Sequence, residues 1–297
     1  MHGFLHELGR SETLQTALVC SLLAGVASGV VGSYVVVRRI ASIAGSIAHC
    51  VLCGLAFAAY LAVVHKVRMY HPIHGWVPLD PLVGALVAAV LAALIIGWIT
   101  IRARQREDTV INAVWAIGVA IGLFFIDRTP GFRGDLMTYL FGNTLLSTSN
   151  DAWMLLALDV LVLCVALLGY PKLLAVCFDE EFARLRGINV EFWYMLLLCL
   201  TAVTVVLLMT IAGMVLVIAL LTLPVAIAAN FAKSLWQLML GSVLLSAIIT
   251  TAGLWISYDY SAPTGATTIL IAGAGYLVSM LLVRFARRAA KNAVASA

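Results

Sequence analysis

Apolar positions along this chain run in long blocks, not at the two-residue or 3.6-residue spacing of half-buried soluble elements. Nearly charge-free stretches recur at roughly 13–37, 43–64, 80–101, 109–126, 152–171, 192–211, 213–230, 235–256 and 265–283. A helix rises about 1.5 Å per residue, so roughly 20 apolar residues cross the hydrocarbon of a bilayer. Inside lipid no water is present to bond the backbone, and a helix satisfies its own amides and carbonyls. The pattern predicts an all-α, polytopic integral membrane protein with about nine (eight to ten) transmembrane helices. Gly213 and Pro224 interrupt the block at 213–230, which predicts a short helix there, or one broken near Pro224.

Composition sharpens this. Of 297 residues, 63% are hydrophobic and 11% charged, with a mean hydropathy of +1.07. A soluble domain carries about 25% charged residues, so a soluble enzyme, a nucleic-acid-binding module and a disordered chain are all excluded. No stretch between the blocks is long enough for a second folding unit, and residues 1–297 read as one transmembrane domain. Met1–Arg10 has no basic region ahead of an apolar run, so no cleaved signal peptide is expected. The six cysteines, at 20, 50, 53, 164, 177 and 199, lie mostly within apolar runs and read as free thiols.

Charge fixes the orientation. Connections after the first, third, fifth and seventh blocks, with the C-terminal segment, hold 13 of the 18 Lys and Arg residues. The positive-inside rule puts these in the cytoplasm, hence the N-terminus outside if there are nine spans. On the outer side, the loop at about 65–79 carries His65, His71 and His74 as candidate first-contact metal ligands or as ordinary solvated residues. The next outer loop carries Asp135, a candidate pathway or structural polar residue, before the short apolar stretch Leu136–Leu146, which reads as re-entrant.

Chemistry has few candidates. The chain has no Walker A loop, dinucleotide glycine pattern, HExxH or Ser-centred elbow. It is therefore not expected to be an enzyme, and any ATP is hydrolysed elsewhere. An ionisable side chain at membrane depth costs about 2.5–3.5 kcal/mol to insert, which singles out His49 and Asp159. His49 shares a helical face with Gly45 and Cys53, four residues away on either side. An imidazole and a thiolate make a soft-metal pair; a histidine bonded to a neighbouring helix, with cysteines as small packing residues, is the alternative. Asp159 either pairs with a polar group of another helix or takes part in transport. On the cytoplasmic side, Phe178, Phe182 and Leu185 recur at helical spacing among Asp179, Glu180, Glu181 and Arg184, with Gly187 as a helix stop. An aromatic anchor with a charged rim suits a protein-docking patch.

Six segments in order resemble the membrane-spanning permease subunit of the bacterial manganese/zinc/iron ABC importers, the ABC-3 type metal permeases. They are Arg39 to Gly54, Arg106-Glu-Asp108, Asp135 to Gly142, Phe178 to Ala183 with Leu185 and Gly187, Gly213 to Pro224, and Pro263-Thr-Gly265. The resemblance runs over nearly the whole chain. It implies a multi-pass permease of the inner membrane that pairs with a second copy around a central pathway. An extracytoplasmic metal-binding protein would deliver a divalent ion (zinc, manganese or iron), and a separate cytoplasmic ABC ATPase would dock at about 178–191. The metal would be cargo, with no permanently bound cofactor. The family's pathway motif is an Asp followed four residues later by a His. His49 matches the His, Gly45 stands where the Asp belongs, and Cys53 is the nearest substitute ligand. A permease for a chelated metal of siderophore or cobalamin type, or a secondary transporter without an ATPase, is the alternative; the short chain counts against the first and the lack of an internal repeat against the second.

Overall fold

The computed structural model describes residues 9, 11–71, 75–102, 107–130, 142 and 144–295. In order these form α1 (Glu12–Val37), α2 (Ala41–Val63), the strands β1 (Arg68–His71) and β2 (Gly75–Pro78), α3 (Pro81–Arg102) and α4 (Glu107–Arg128). A 3₁₀ turn (Thr144–Leu146), α5 (Ser149–Leu168), α6 (Tyr170–Phe178), α7 (Glu180–Leu185) and α8 (Val190–Ala212) follow. The chain ends with α9 (Met214–Ala229), α10 (Leu235–Tyr260) and α11 (Thr264–Ala295). Eight of these helices are long and apolar enough to cross a membrane. With the 16-residue α9, about 24 Å long, they account for the nine blocks of the sequence.

Helix starts follow local chemistry. Ser11, Asn189 and Ser234 each accept a bond from a backbone amide three residues on, and Thr148 and Asp151 form a reciprocal capping box. The discontinuity expected between Gly213 and Pro224 lies at Gly213. Its φ of 77° and ψ of 154° separate α8 from α9 in a single residue, a conformation open to glycine and costly for a residue with a Cβ. At Pro224 the helix continues, because neighbouring helices in a bundle tolerate the one lost amide bond.

Helices α1, α2 and α8 are mostly covered by the rest of the chain, whereas α3, α4, α5 and α11 keep most of their surface outward. α1 packs on α10, α9 and α5, and α2 packs on α3 and α4. Small residues set these distances: an added Cβ on Gly29 would lie 2.7 Å from Val243 Cα, and one on Gly54 would collide with the Gly84 carbonyl. Hydroxyls bond across the same seams, as Thr250 donates to the Ser21 carbonyl at 3.2 Å.

Contacts sort the connections into two ends. At one, the Thr144 amide donates to Thr264 Oγ1 at 3.1 Å and Gly142 abuts Ala212. At the other, Lys172 lies over the Trp193 ring at 5.2 Å and Arg38 pairs with Glu180. The second is the basic end identified by charge. The loop at 65–79 contains an antiparallel hairpin, pairing Arg68 with Pro78 and Tyr70 with Trp76, which alternation over so few residues did not reveal. His74, Asp135 and most of the stretch Leu136–Leu146 lie outside the described residues.

Candidate functional site

The candidate pathway begins with the face of α2 that its own chain leaves partly open. Ser42 and Phe57 are exposed, and Gly45, His49 and Cys53 are half-buried; these recur at three- and four-residue spacing, so they form one stripe. The adjacent face, one position on at each step, is clamped against α4. Ser46 Oγ donates to the Ile111 carbonyl at 2.9 Å, and the Cys50 thiol donates to the Val114 carbonyl at 3.5 Å. Gly118 and Gly122 let the two backbones meet: a Cβ on Gly118 would lie 2.8 Å from Cys50 Sγ. Cys50 is thus a packing thiol, while Cys53 shares the face of His49.

His49 is held in one orientation. Its Nδ1 lies 2.8 Å from the Gly45 carbonyl oxygen, which only accepts, so Nδ1 carries the proton. In the neutral ring Nε2 is then the lone-pair nitrogen. A backbone carbonyl on the far ring nitrogen is the usual way a ligating histidine is oriented. The Trp115 ring of α4 meets the imidazole edge-on, with centroids 5.5 Å apart, and is itself 45% exposed. No motif in the sequence connected Trp115 to His49, since the two lie on different helices. A Cβ added to Gly45 would meet nothing within 4 Å, so the space beside His49 on this stripe is open. Among the described residues no three His, Cys, Asp or Glu side chains gather into a metal-binding group. One chain offers His49 and Cys53.

Asp159 sits elsewhere. It is buried on α5 against α1 near Ala27, and neither carboxylate oxygen makes a hydrogen bond of ordinary geometry. α5 packs chiefly on α1 and α8, so Asp159 belongs to a different interface from the α2 stripe. His65 is exposed and meets the Tyr60 ring at 5.4 Å.

The cytoplasmic segment is two helices, not one. Phe178 ends α6, and Asp179 caps α7 by accepting from the Phe182 amide at 2.9 Å. Gly187, at φ 72°, closes α7 with its amide on the Arg184 carbonyl at 3.0 Å, while the Ile188 amide reaches back to Ala183. Ala183 is buried between Val176 and Val190, which anchors α7 to α6 and α8. The outward surface then carries Phe178 (66% exposed), Phe182 (45%) and Leu185 (88%), and Arg186 lies over the Phe182 ring at 4.6 Å. Glu181 and Arg184 are exposed around them. Glu180 instead pairs with Arg38 at the end of α1, a contact the sequence could not show. Burial pushes the nearby Cys177 thiol up to about 11 against the pull of the Arg38 guanidinium, the state of an inert packing thiol.

Comparison with known proteins closes the question of kinship. Residues 10–283 match the ABC 3 transport family. The chain is 40% identical, over 90% of its length and 88% of the relative's, to a protein of Chlamydia pneumoniae named as a probable metal transport system membrane protein. It is 31% identical to the manganese transport system membrane protein MntC of Listeria monocytogenes, over 94% and 93% of the two chains. Its fold superposes on PsaBC from Streptococcus pneumoniae, solved in complex with Fab, with a TM-score of 0.79 at 29% identity, covering 93% of this chain and 94% of that one. This multi-pass membrane protein belongs to the ABC 3 transport family.

Proposed function

We propose that the chain is the permease subunit of an ATP-driven importer of divalent transition-metal ions in a bacterial inner membrane, with His49 lining the ion's path. The observation that carries this reading is the oriented imidazole on the open stripe of α2, its Nδ1 proton tied to Gly45. A half-exposed imidazole at membrane depth is costly against lipid. A second copy of the chain, meeting the first across this stripe, removes that cost and brings two His49 and two Cys53 side chains to one axis. Such a site is sparse enough to release what it binds, as conduction requires. The ion would arrive from an extracytoplasmic binding protein. Work would come from a separate ATPase docked on Phe178, Phe182 and Leu185, because this chain has no nucleotide-binding motif.

Relatives named for manganese support a first-row divalent cargo. Imidazole and thiolate are softer than a carboxylate, and with Gly45 in place of an Asp the ligand set favours zinc or ferrous iron relative to an Asp–His pair. The test is uptake of zinc, manganese and iron, in competition, by cells whose own importers are deleted and which express this permease with its partners. His49→Ala should insert normally and lower uptake at least several-fold. Wild-type uptake in that variant would remove His49 from the pathway.

A further inference from the structure

At the cytoplasmic end, Arg38, the C-cap of the first membrane helix, reaches across 142 residues of sequence to Glu180 in the first turn of α7. Its guanidinium also lies 5.3 Å over the ring of Tyr194, a buried residue of α8. A side chain with an ion pair on one side and an aromatic face on the other has few rotamers left, so it is stiff. The group borders an open cavity of about 170 Å³, lined by Thr100, Glu180, Arg184, Glu191 and Tyr194 as well as Arg38. The surroundings therefore leave the pair room to travel.

What Arg38 is attached to gives the pair its direction. α1 and α2 are joined by a corner of three residues, closed by amide bonds from Arg38 to Tyr34, Arg39 to Val36 and Ile40 to Val35 at 2.9–3.0 Å. Arg39 occupies the left-handed region at φ 62° and Ile40 is buried. A corner so constrained transmits displacement instead of absorbing it. α2 starts at Ala41, and His49 lies eight residues further on, roughly 12 Å along the helix. On its other side Glu180 belongs to the short helix that carries Phe182 outward.

We infer that the Arg38–Glu180 pair is the strut by which the docking helix α7 moves the α1–α2 corner, and through it the helix that carries His49. This rests on the importer reading above. α7 is also packed on α6 and α8 through Ala183, so loss of the pair leaves the docking helix in place but cut off from α1. The strut thus governs how much transport each hydrolysis event drives, not whether the ATPase binds.

The experiment uses proteoliposomes holding the whole complex of permease, partner ATPase and binding protein. The readouts are metal moved per ATP hydrolysed and ATPase retained on the purified permease. Arg38→Gln should retain the ATPase and still permit hydrolysis, yet lower the transport ratio at least about five-fold, the smaller end of typical coupling between sites. Glu180→Gln should do the same, and Arg38→Lys should keep most of the ratio. The exchange Arg38→Glu with Glu180→Arg should recover much of what either single change loses. The strut is overturned if Arg38→Gln keeps the wild-type ratio, or if the exchanged pair is as poor as the single variants. It is equally overturned if the single variants fail to assemble and the exchange merely restores assembly, which would make the pair a folding clamp. A wild-type complex that moves no metal would overturn the importer reading itself; a transporting wild-type complex matched by Arg38→Gln overturns only the strut.

Discussion

At the scale of single residues, the stripe Gly45–His49–Cys53 makes two separable statements about ligands. The first concerns thiols. Cys53 shares the open face, whereas Cys50 donates to a carbonyl of α4 and Cys20 is buried in the core. Cys53→Ser should therefore lower zinc uptake or shift preference towards manganese, while Cys50→Ser and Cys20→Ser leave preference unchanged. Equal profiles for all three variants in a competition assay would reduce Cys53 to packing. The second concerns the missing carboxylate. Gly45 faces open space and lies in a helix interior, where glycine is disfavoured relative to alanine by roughly 0.5–1 kcal/mol. Gly45→Asp should fold, place a carboxylate beside His49 and favour manganese over zinc by several-fold. An unchanged metal profile in a well-folded variant would place the ion's path away from this stripe. His49 was legible in the sequence because it is the sole histidine in a membrane block. Trp115 was not, since an aromatic residue in an apolar helix carries no mark of which neighbour it touches.

At the scale of elements, block length carried most of the information. Apart from α11, which continues to Ala295, each long helix ends within a few residues of its apolar run, because the bilayer's thickness and the backbone's need for internal bonds set both. What escaped was local. The segment 178–187 has the spacing of one amphipathic helix, but the Asp179 side chain bonds the Phe182 amide and starts a second helix there. The consequence is a tighter patch, with Phe178 at the end of one helix and Phe182 and Leu185 on the next. Phe182→Ala removes a ring that Arg186 steadies from one side. Truncating such an anchor typically costs at least about 2 kcal/mol, or about 30-fold in affinity. Co-purification of the ATPase should fall accordingly and uptake should stop, with membrane insertion intact. Glu181→Gln, at the rim, should have a far smaller effect. Unaltered binding in Phe182→Ala would place the main docking contact elsewhere, the connection around Lys233 being the next cytoplasmic candidate.

At the scale of the whole molecule, the order of burial is set by small residues more than by hydropathy. α3 is more apolar than α1 or α2, yet it keeps most of its surface outward, while α1 and α2 lie inside. In lipid, apolar area gives helices little reason to associate, so close contact between backbones decides which helices sit centrally. α1 and α2 carry several of those contacts: Gly29 against Val243, Gly32 against the Leu221 carbonyl, and Gly54 against the Gly84 carbonyl. None of these pairings was legible, because the chain has 23 glycines and a glycine's partner is invisible in one sequence. The sites differ in what a methyl would meet. At Gly54 the obstacle is backbone, which cannot swing aside, whereas at Gly273 nothing lies within 4 Å. Overpacking that forces backbone apart costs about 1–3 kcal/mol. Gly54→Ala should therefore lower the melting temperature in detergent and the yield of monodisperse protein, and Gly84→Ala should do likewise from the other side. Gly273→Ala should be neutral or slightly stabilising. Because Gly54 follows Cys53 on the helix that carries His49, Gly54→Ala should also depress uptake per folded molecule, as α2 is pushed off α3 and the stripe shifts. Melting curves that leave Gly54→Ala and Gly273→Ala indistinguishable would show that α2 and α3 are held by something other than this contact.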